Sequence, residues 1–183
     1  MKKKLLALTL ALALALSLAA CGGGTAAPGE AGSPEAPAET ETDVDLAAFY
    51  NTLREENTWP ELMDLTDSGA ESELEMLDAY YPGLSGISTK QCGVYIAAIS
   101  AAVGEIALAE VENAEDVEAV KAVFQARIDY QVGDDANPGG AWYPETIEGW
   151  KTKSHIVSHG NYIMLAVGDA AEAAVESFET LFA

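Results

Sequence analysis

Residues His155 to Val167 read HIVSHGNYIMLAV and carry the strongest topological signal in the chain. Gly160-Asn161 lies between two apolar runs and predicts a two-residue hairpin turn, because Gly and Asn tolerate the positive φ angles of such turns. The turn sets the register and pairs His159 with Tyr162. Side chains alternate between the two faces of a strand. The core side is expected to hold Ile156, Ile163, Leu165 and Val167, and the opposite side His155, Val157, His159, Tyr162 and Met164.

A second strand pair precedes this hairpin. Alternating residues from Cys92 to Ala98 predict one strand, and the apolar run from Val103 to Val111 predicts its partner. A helix follows each pair, the first from Ala114 to about Gln131 and the second beginning at a capping box of Asp169 and Glu172. This order favours an α+β fold, an antiparallel four-stranded sheet with helices packed on one face.

The two strand-strand-helix segments also resemble each other. Residues 111–116 and 167–172 share the pattern Val-x-Asn/Asp-Ala-x-Asp/Glu at the junction from strand to helix. The pattern is that of an internal ββα repeat, although helix-capping chemistry alone also produces much of it.

Two N-terminal helices are predicted before the first strand pair. The first carries an apolar stripe, and the second runs from about Glu71 to Tyr80 and ends before Pro82-Gly83. The stripe consists of Leu46, Phe49, Tyr50 and Leu53. Residues 44–183 are therefore expected to form a single globular α+β domain.

The N-terminus has the parts of a bacterial lipoprotein signal. Lys2 to Lys4 precede an apolar run that ends at Leu18, and the small Ala19 and Ala20 precede Cys21. The run is shorter than the roughly 20 apolar residues that span a bilayer. We therefore expect residues 1–20 to be removed and Cys21 to be acylated, with the lipid bilayer as the partner of the acyl chains.

Residues 21–43 are rich in Gly, Ala, Pro, Glu and Thr and are predicted to form a disordered acidic tether behind the lipidated Cys21. Removal of the signal lysines leaves six basic residues against 30 acids, a net charge of −24. Such a charge is repelled by phosphates, so nucleic acid is excluded as a partner. Cys92 then has no second Cys for an intramolecular disulfide, and it is predicted to be a small buried side chain rather than a nucleophile.

Residues 133–150 form the one long loop expected inside the domain, and loops of this length are often functional. Its aromatic and polar side chains suit recognition of a protein or peptide partner. The predicted binding surface consists of Trp142, Tyr143, Trp150, Asp134, Asp135 and Asn137.

Residues of this segment also suit two other chemistries. Asp134, Asp135 and Glu145 could serve as the acid and base of an envelope glycan or peptide hydrolase. The spacing of Asp135 and Asn137 is that of the start of a calcium loop, but Thr146 stands where such loops carry a bidentate Glu.

His155 and His159 are about 13 Å apart along a strand, which is unfavourable for one zinc ion. The sequence accordingly predicts no metal, no cofactor and no catalytic residue.

Several motifs together resemble one known group of proteins. They are the lipoprotein signal, the acidic tether, Tyr80-Tyr81-Pro82-Gly83-Leu84, the run from Ile106 to Val111 and Trp142-Tyr143-Pro144. The chain is similar over nearly all of 44–183 to a family of bacterial lipoproteins catalogued as domain of unknown function 4358. The family has no established activity, so the resemblance implies an envelope location and carries over no site residue. We expect a non-enzymatic, lipid-anchored binding module on the outer face of the bacterial cytoplasmic membrane.

Overall fold

The computed structural model describes residues 43–66 and 71–183. The signal at 1–20, Cys21 and the tether up to residue 42 lie outside the described residues and stay predictions. Within the described residues, no helix is long and apolar enough to cross a membrane.

The sheet has five antiparallel strands, in the spatial order β1-β2-β3-β5-β4. The strands are β1 (Leu62–Asp64), β2 (Thr89–Ala97), β3 (Glu105–Val111), β4 (Ser154–His159) and β5 (Tyr162–Val167). The α+β class is confirmed, but the predicted four strands are wrong. The additional strand, β1, has three residues, which is too short to show an alternating pattern in the sequence.

The predicted hairpin register is confirmed. His159 pairs with Tyr162, His155 pairs with Ala166, and Gly160 in the turn has a φ of 53°. A positive φ favours Gly because it has no Cβ to clash with the backbone. The residues of the turn were therefore enough to predict the register of this strand pair.

In the described residues, five α-helices accompany the sheet. They are α1 (Leu46–Glu56), α2 (Glu71–Tyr80), α3 (Val117–Val132), α4 (Pro144–Thr152) and α5 (Ala171–Thr180). The first and second N-terminal helices and the long third helix lie where the sequence predicted them. The predicted capping box of α5 is wrong, because its N-cap is Ala170 and the Asp169 carboxylate instead accepts a hydrogen bond from Lys153 Nζ at 2.5 Å.

Helices cover both faces of the sheet, so the prediction of helices on one face is also wrong. One core joins Val94, Ile163 and Leu165 to residues of α2, α3 and α4. The other joins Tyr95, Tyr162 and Met164 to residues of α1 and α5, which include Phe178. Every residue of β3 and β5 is buried, as in a strand covered from both sides. Tyr162 and Met164, which the alternation placed away from the core, are core residues of the second layer.

The two-sided packing argues against a symmetric ββα repeat. Strands β3 and β5 are antiparallel neighbours, so a two-fold axis that exchanges them runs perpendicular to the sheet and keeps equivalent helices on one face. Helices α3 and α5 instead pack on opposite faces. The motif shared by residues 111–116 and 167–172 is therefore explained by the fact that each segment leads from a strand into a helix.

The chain enters the domain next to two central strands. The Val44 N–H donates to the Tyr162 hydroxyl at 3.2 Å, and the Gln91 side-chain amide donates to the Val44 carbonyl at 2.8 Å. The Leu46 N–H in turn donates to Gln91 Oε1 at 2.9 Å. These contacts fix the start of α1 on the face of the sheet that α5 also covers.

Candidate binding cavity

A buried ion pair connects β3 to α3. Arg127 Nε donates to Glu105 Oε1 at 2.8 Å, and Arg127 Nη2 donates to Glu105 Oε2 at 2.9 Å. Both side chains are 3% exposed. The Tyr81 hydroxyl donates a further hydrogen bond to Glu105 Oε1. Two parallel bonds between a guanidinium and a carboxylate are strong and directional, so this pair fixes the orientation of Arg127.

Burial and the negative charge of Glu105 act in opposite directions on the pKa of Arg127. Burial disfavours the charged guanidinium, but the hydrogen bonds and negative charge of Glu105 outweigh it and raise the pKa of Arg127 above its ordinary value. Burial, together with the Glu105 charge, raises the pKa of Tyr81 well above its ordinary value. Arg127 is therefore charged and the Tyr81 hydroxyl is protonated at neutral pH.

Three aromatic rings surround the guanidinium. The ring centroids of Tyr80, Trp150 and Tyr81 lie 5.0, 5.3 and 5.7 Å from Arg127 Cζ. These distances are within the range of cation–π attraction. Tyr80 ends α2 and Trp150 lies in α4, so the guanidinium ties two further helices to the strand and helix of the ion pair.

A cavity of about 490 Å³ lies over this cluster. Arg127 and Trp150 are only 4% and 5% exposed yet both line it, so they form its floor. The turn between β2 and β3, the ends of α2 and α3, and residues 140–150 supply the walls. Small residues predominate in these walls and leave room for a bulky group: Ala97, Ala98, Ala102, Gly104, Gly140 and Ala141.

One end of the guanidinium remains available in the cavity. Glu105 occupies Nε and one hydrogen of Nη2, whereas Nη1 has no hydrogen-bond acceptor among the described residues. In the same part of the chain, no fully buried polar side-chain atom lacks a partner, so Nη1 is not sealed from solvent. Arg127 can therefore donate to a ligand without releasing Glu105.

Exposed apolar side chains gather at the mouth. Among residues 43–66 and 75–183, six large apolar side chains are exposed. Met63, Ile99 and Tyr130, at 41%, 64% and 64% exposure, line the cavity. A fourth, Trp142, is 83% exposed and follows Ala141, which also lines it. Exposed apolar side chains that line one cavity mark interaction sites more often than scattered single residues do.

The loop predicted over residues 133–150 ends at residue 143, because α4 (Pro144–Thr152) takes up the remainder. This segment reaches the cavity, but its predicted residues have different roles. The Gly140 and Ala141 N–H groups donate to the carbonyls of Tyr130 and Gln131, which seats the loop on the end of α3. Trp142 and Tyr143 are exposed, and neither lines the cavity. Trp150 is not on the loop surface, because α4 turns it inward against Arg127.

Asp134 and Asn137 build the loop itself. Asp134 Oδ1 accepts the Ala136 and Asn137 N–H groups, both at 2.7 Å. These hydrogen bonds hold the pKa of Asp134 below its ordinary value. A glycosidase acid needs a raised pKa, so Asp134 is poorly suited to that role. Asp135 and Glu145 are exposed, and neither lines the cavity.

The surroundings of His159 and Cys92 indicate packing roles for both residues. The His159 ring stacks on Phe182 at a centroid distance of 4.3 Å. Burial, with a smaller contribution from Asp64, raises the pKa of the Cys92 thiol to about 11. In the described part of the chain, no group of three His, Cys, Asp or Glu side chains could hold a metal ion.

Glu105 and Arg127 were not singled out from the sequence, although a signal for them exists. Arg127 lies three and seven residues after Phe124 and Val120, on the buried stripe of α3, and Glu105 begins an apolar strand. Opposite charges at two apolar positions predict a buried pair, because an isolated buried charge is costly. Sequence spacing alone does not show that the two faces meet.

No protein-family model, curated protein or solved structure matches this chain. The resemblance to the lipoprotein family stays a prediction, and the cavity is interpreted from its own chemistry.

Proposed function

We propose that this chain is a lipid-anchored binding module on the outer face of the bacterial cytoplasmic membrane, and that the cavity over Arg127 is its site for an envelope protein or peptide. The observation that carries this proposal is the apolar mouth, where Met63, Ile99 and Tyr130 surround a floor of Trp150 and Arg127. Covering apolar surface contributes about 25 cal/mol per Å². Trp, Tyr and Arg are also the residues most often found at the energetic centres of protein interfaces.

The charges of the cavity support binding over hydrolysis. Both Glu105 oxygens accept hydrogen bonds from Arg127, and Oε1 also accepts one from Tyr81. The carboxylate is therefore occupied by donors of the protein itself. General acid–base catalysis works best with a group whose pKa lies near the operating pH. The pKa values of Arg127 and Tyr81 are displaced upward from their already high ordinary values. These groups can orient a ligand, but they are poor proton-transfer groups.

The lipid anchor determines where the module is located. Acylation of Cys21 holds the chain on the bilayer, and residues 22–43 separate that anchor from the domain in the sequence. The strong negative charge keeps the domain away from anionic headgroups. A binding module of this design samples partners close to the membrane surface.

The proposal is tested by cross-linking in intact cells with the lipidated protein, followed by mass spectrometry of the captured partners. Ala98→Trp places a large ring in the cavity wall, whereas Ala101→Trp adds the same ring to the same turn at an exposed residue that does not line the cavity. We expect the wild type and Ala101→Trp to capture the same envelope partner and Ala98→Trp to lose it.

Cys21→Ala is the control for the anchor, and it should reduce capture by releasing the chain from the membrane. Equal capture by Ala98→Trp and Ala101→Trp would place the binding site elsewhere and overturn the proposal.

A further inference from the structure

The two edges of the sheet differ in their protection. Strand β1 has three residues, one of which is Asp64, and Pro60 precedes it in the chain. Strand β4 has six residues, with no Asp, Glu, Lys, Arg or Pro among them and no irregularity in its register with β5. Proteins commonly protect an edge strand by a charge, a Pro, a bulge or a short length, because unpaired main-chain groups recruit further strands. The edge at β4 has none of these four features.

Alternate residues of β4 direct their main-chain groups away from the sheet. In a hairpin with a two-residue turn, the pair next to the turn exchanges two hydrogen bonds, and hydrogen-bonded pairs then alternate along the strands. His159 with Tyr162 is that pair in this hairpin. The N–H and C=O groups that point outward therefore belong to Ser154, Ile156 and Ser158. No main-chain group of residues 43–66 or 71–183 pairs with them.

The side chains along this edge are incompletely covered. Ser158 and His159 are exposed, and the other four residues of β4 are half-buried. Every residue of the neighbouring β5 is buried. The helices on the two faces of the sheet therefore leave the outer side of β4 accessible to another chain.

Another cavity, of about 300 Å³, lies beside β4 on the face of the sheet that α5 covers. Its lining consists of Val157, Ser158, His159, Phe178, Glu179 and Phe182. The Phe182 ring stacks on His159 and contacts the Phe178 ring edge-on, at centroid distances of 4.3 and 5.2 Å. These rings give the cavity an apolar wall, so it suits an apolar side chain.

The strand edge and this cavity fit the same ligand. Residues directly opposite each other in an antiparallel pair have their side chains on the same face of the sheet. An extended segment that adds to β4 therefore places the side chain opposite Val157 beside the cavity. The side chain opposite Ile156 lies on the other face and covers that half-buried residue.

Charge favours a partner protein over a second copy of this chain. Two copies that each carry a net charge of −21 repel one another, and Glu179 lies in the wall of the cavity. The chain's own residues 22–43 contain no large apolar side chain that could fill the cavity. The ligand is therefore an extended segment of a different protein, with apolar residues at alternating positions.

On these grounds we propose that the edge of β4 is a docking site that takes an extended apolar segment of a partner protein as a sixth strand. The segment runs antiparallel to β4, exchanges main-chain hydrogen bonds with its outward groups and inserts one bulky apolar side chain between β4 and α5. Main-chain pairing supplies affinity, and the inserted side chain supplies specificity. Met63 of β1, at the opposite edge of the sheet, lines the cavity over Arg127, so this site is separate from the function proposed above.

The first test is selection from a displayed library of random linear peptides on the full-length chain in detergent. We expect the enriched peptides to carry apolar residues at alternating positions. Ser158→Pro removes an outward N–H without breaking a hydrogen bond between β4 and β5, and Ser158→Ala removes the same hydroxyl but keeps the N–H. In fluorescence anisotropy, a selected peptide should bind the wild type and Ser158→Ala alike and Ser158→Pro at least about tenfold more weakly.

Hydrogen exchange followed by NMR locates the bound peptide. In the free chain, the N–H groups of Ile156 and Ser158 should exchange faster than those of Val157 and His159, which bond to β5. The peptide should slow exchange at Ile156 and Ser158 by at least about tenfold. Methylation of the peptide nitrogens that donate to β4 should abolish binding, whereas methylation of the alternate nitrogens should leave it intact.

Three outcomes overturn the proposal. The first is that no enriched peptide depends on the Ser158 N–H. The second is full binding by Ser158→Pro with loss of binding by Ala98→Trp, which assigns the peptide to the cavity over Arg127 and leaves the proposed function standing. The third is dimerisation in analytical ultracentrifugation that itself slows exchange at Ile156 and Ser158, which assigns the edge to a second copy. If circular dichroism shows that Ser158→Pro does not fold, the methylated peptides decide on the wild type.

Discussion

Arg127 and Glu105 lie 22 positions apart in the chain and form a bidentate ion pair beneath the cavity, with donor–acceptor distances of 2.8 and 2.9 Å. The pair joins α3 to β3 and gives the floor of the cavity one fixed arrangement. Breaking it has consequences for stability as well as for binding.

Glu105→Gln keeps the shape of the side chain but leaves the Arg127 charge without its counter-charge. We expect a loss of about 3 kcal/mol or more in the free energy of unfolding, because an uncompensated buried charge is costly. Urea unfolding followed by circular dichroism measures it. The control is Glu112→Gln at an exposed position, which should change stability by less than about 0.5 kcal/mol. Equal unfolding midpoints would show that the pair contributes nothing to stability.

Trp142→Ala and Trp150→Ala distinguish a side chain proposed to bind a partner from a side chain that packs in the core. Trp142 is 83% exposed, so its removal should change the free energy of unfolding by less than about 0.5 kcal/mol while weakening partner capture. Trp150 is buried beside Arg127, and its removal should cost about 3–5 kcal/mol. Thermal unfolding of both variants provides the comparison, and similar midpoints would contradict the assignment of Trp150 to the core.

Met164→Ala tests whether helices cover both faces of the sheet. Met164 is fully buried in the core formed with α1 and α5, so we expect a loss of about 2–5 kcal/mol. Met76→Ala removes the same side chain at an exposed position of α2 and should have little effect. A neutral Met164→Ala would mean that this face of the sheet is open to solvent.

The environment of Glu110 predicts that the free energy of unfolding falls at acid pH. Burial acts to raise its pKa, but hydrogen bonds from Lys90 and Gln91 outweigh burial and hold the pKa below its ordinary value. A lowered carboxyl pKa stabilises the fold above the pKa of the unfolded chain, about 4.3, and this contribution is lost as pH falls through the folded value. Lys90→Met should therefore flatten the fall in unfolding free energy between about pH 5 and pH 3. Parallel pH profiles for the wild type and this variant would contradict the assignment.

Cys92 should react slowly in the folded chain. With a thiol pKa of about 11, very little thiolate is present at pH 8, whereas an ordinary thiol is partly ionised there. In the Cys21→Ala chain, where Cys92 is the remaining Cys, alkylation by iodoacetamide should be at least about a hundredfold slower folded than in urea. Equal rates in both states would show that the thiol is accessible and ordinary.

Local chemistry accounts for the parts of the fold that could be predicted. Gly160-Asn161 fixed the hairpin and its register, and the stripe of Leu46, Phe49, Tyr50 and Leu53 correctly identified the buried side of α1. The layer arrangement could not be predicted in the same way. A strand buried on both faces loses the contrast between its two sides, and Tyr162 and Met164 have side chains that suit either environment.

The cavity was predicted only in part because its floor is assembled over long sequence distances. Of the six residues predicted as a binding surface in 133–150, only Trp150 lines the cavity, and Trp142 and Tyr143 are exposed outside it. The floor needs Glu105 and Arg127 from two elements on adjacent layers. Which charged residues meet is set by the packing angle of α3 on the sheet, and no local pattern encodes that angle.

The attachment of Val44 has a mechanical consequence. Force applied along the chain from its N-terminal side reaches the domain through hydrogen bonds to Tyr162 and Gln91, which belong to β5 and β2. These strands flank β3 in the middle of the sheet, and the attachment is on the face covered by α1 and α5, whereas the cavity opens on the other face. Under the proposed function, tension between the membrane and a captured partner would therefore enter the domain on one face of the sheet and leave it from the other. The N-terminal attachment and the proposed binding cavity thus lie on opposite faces of the same sheet.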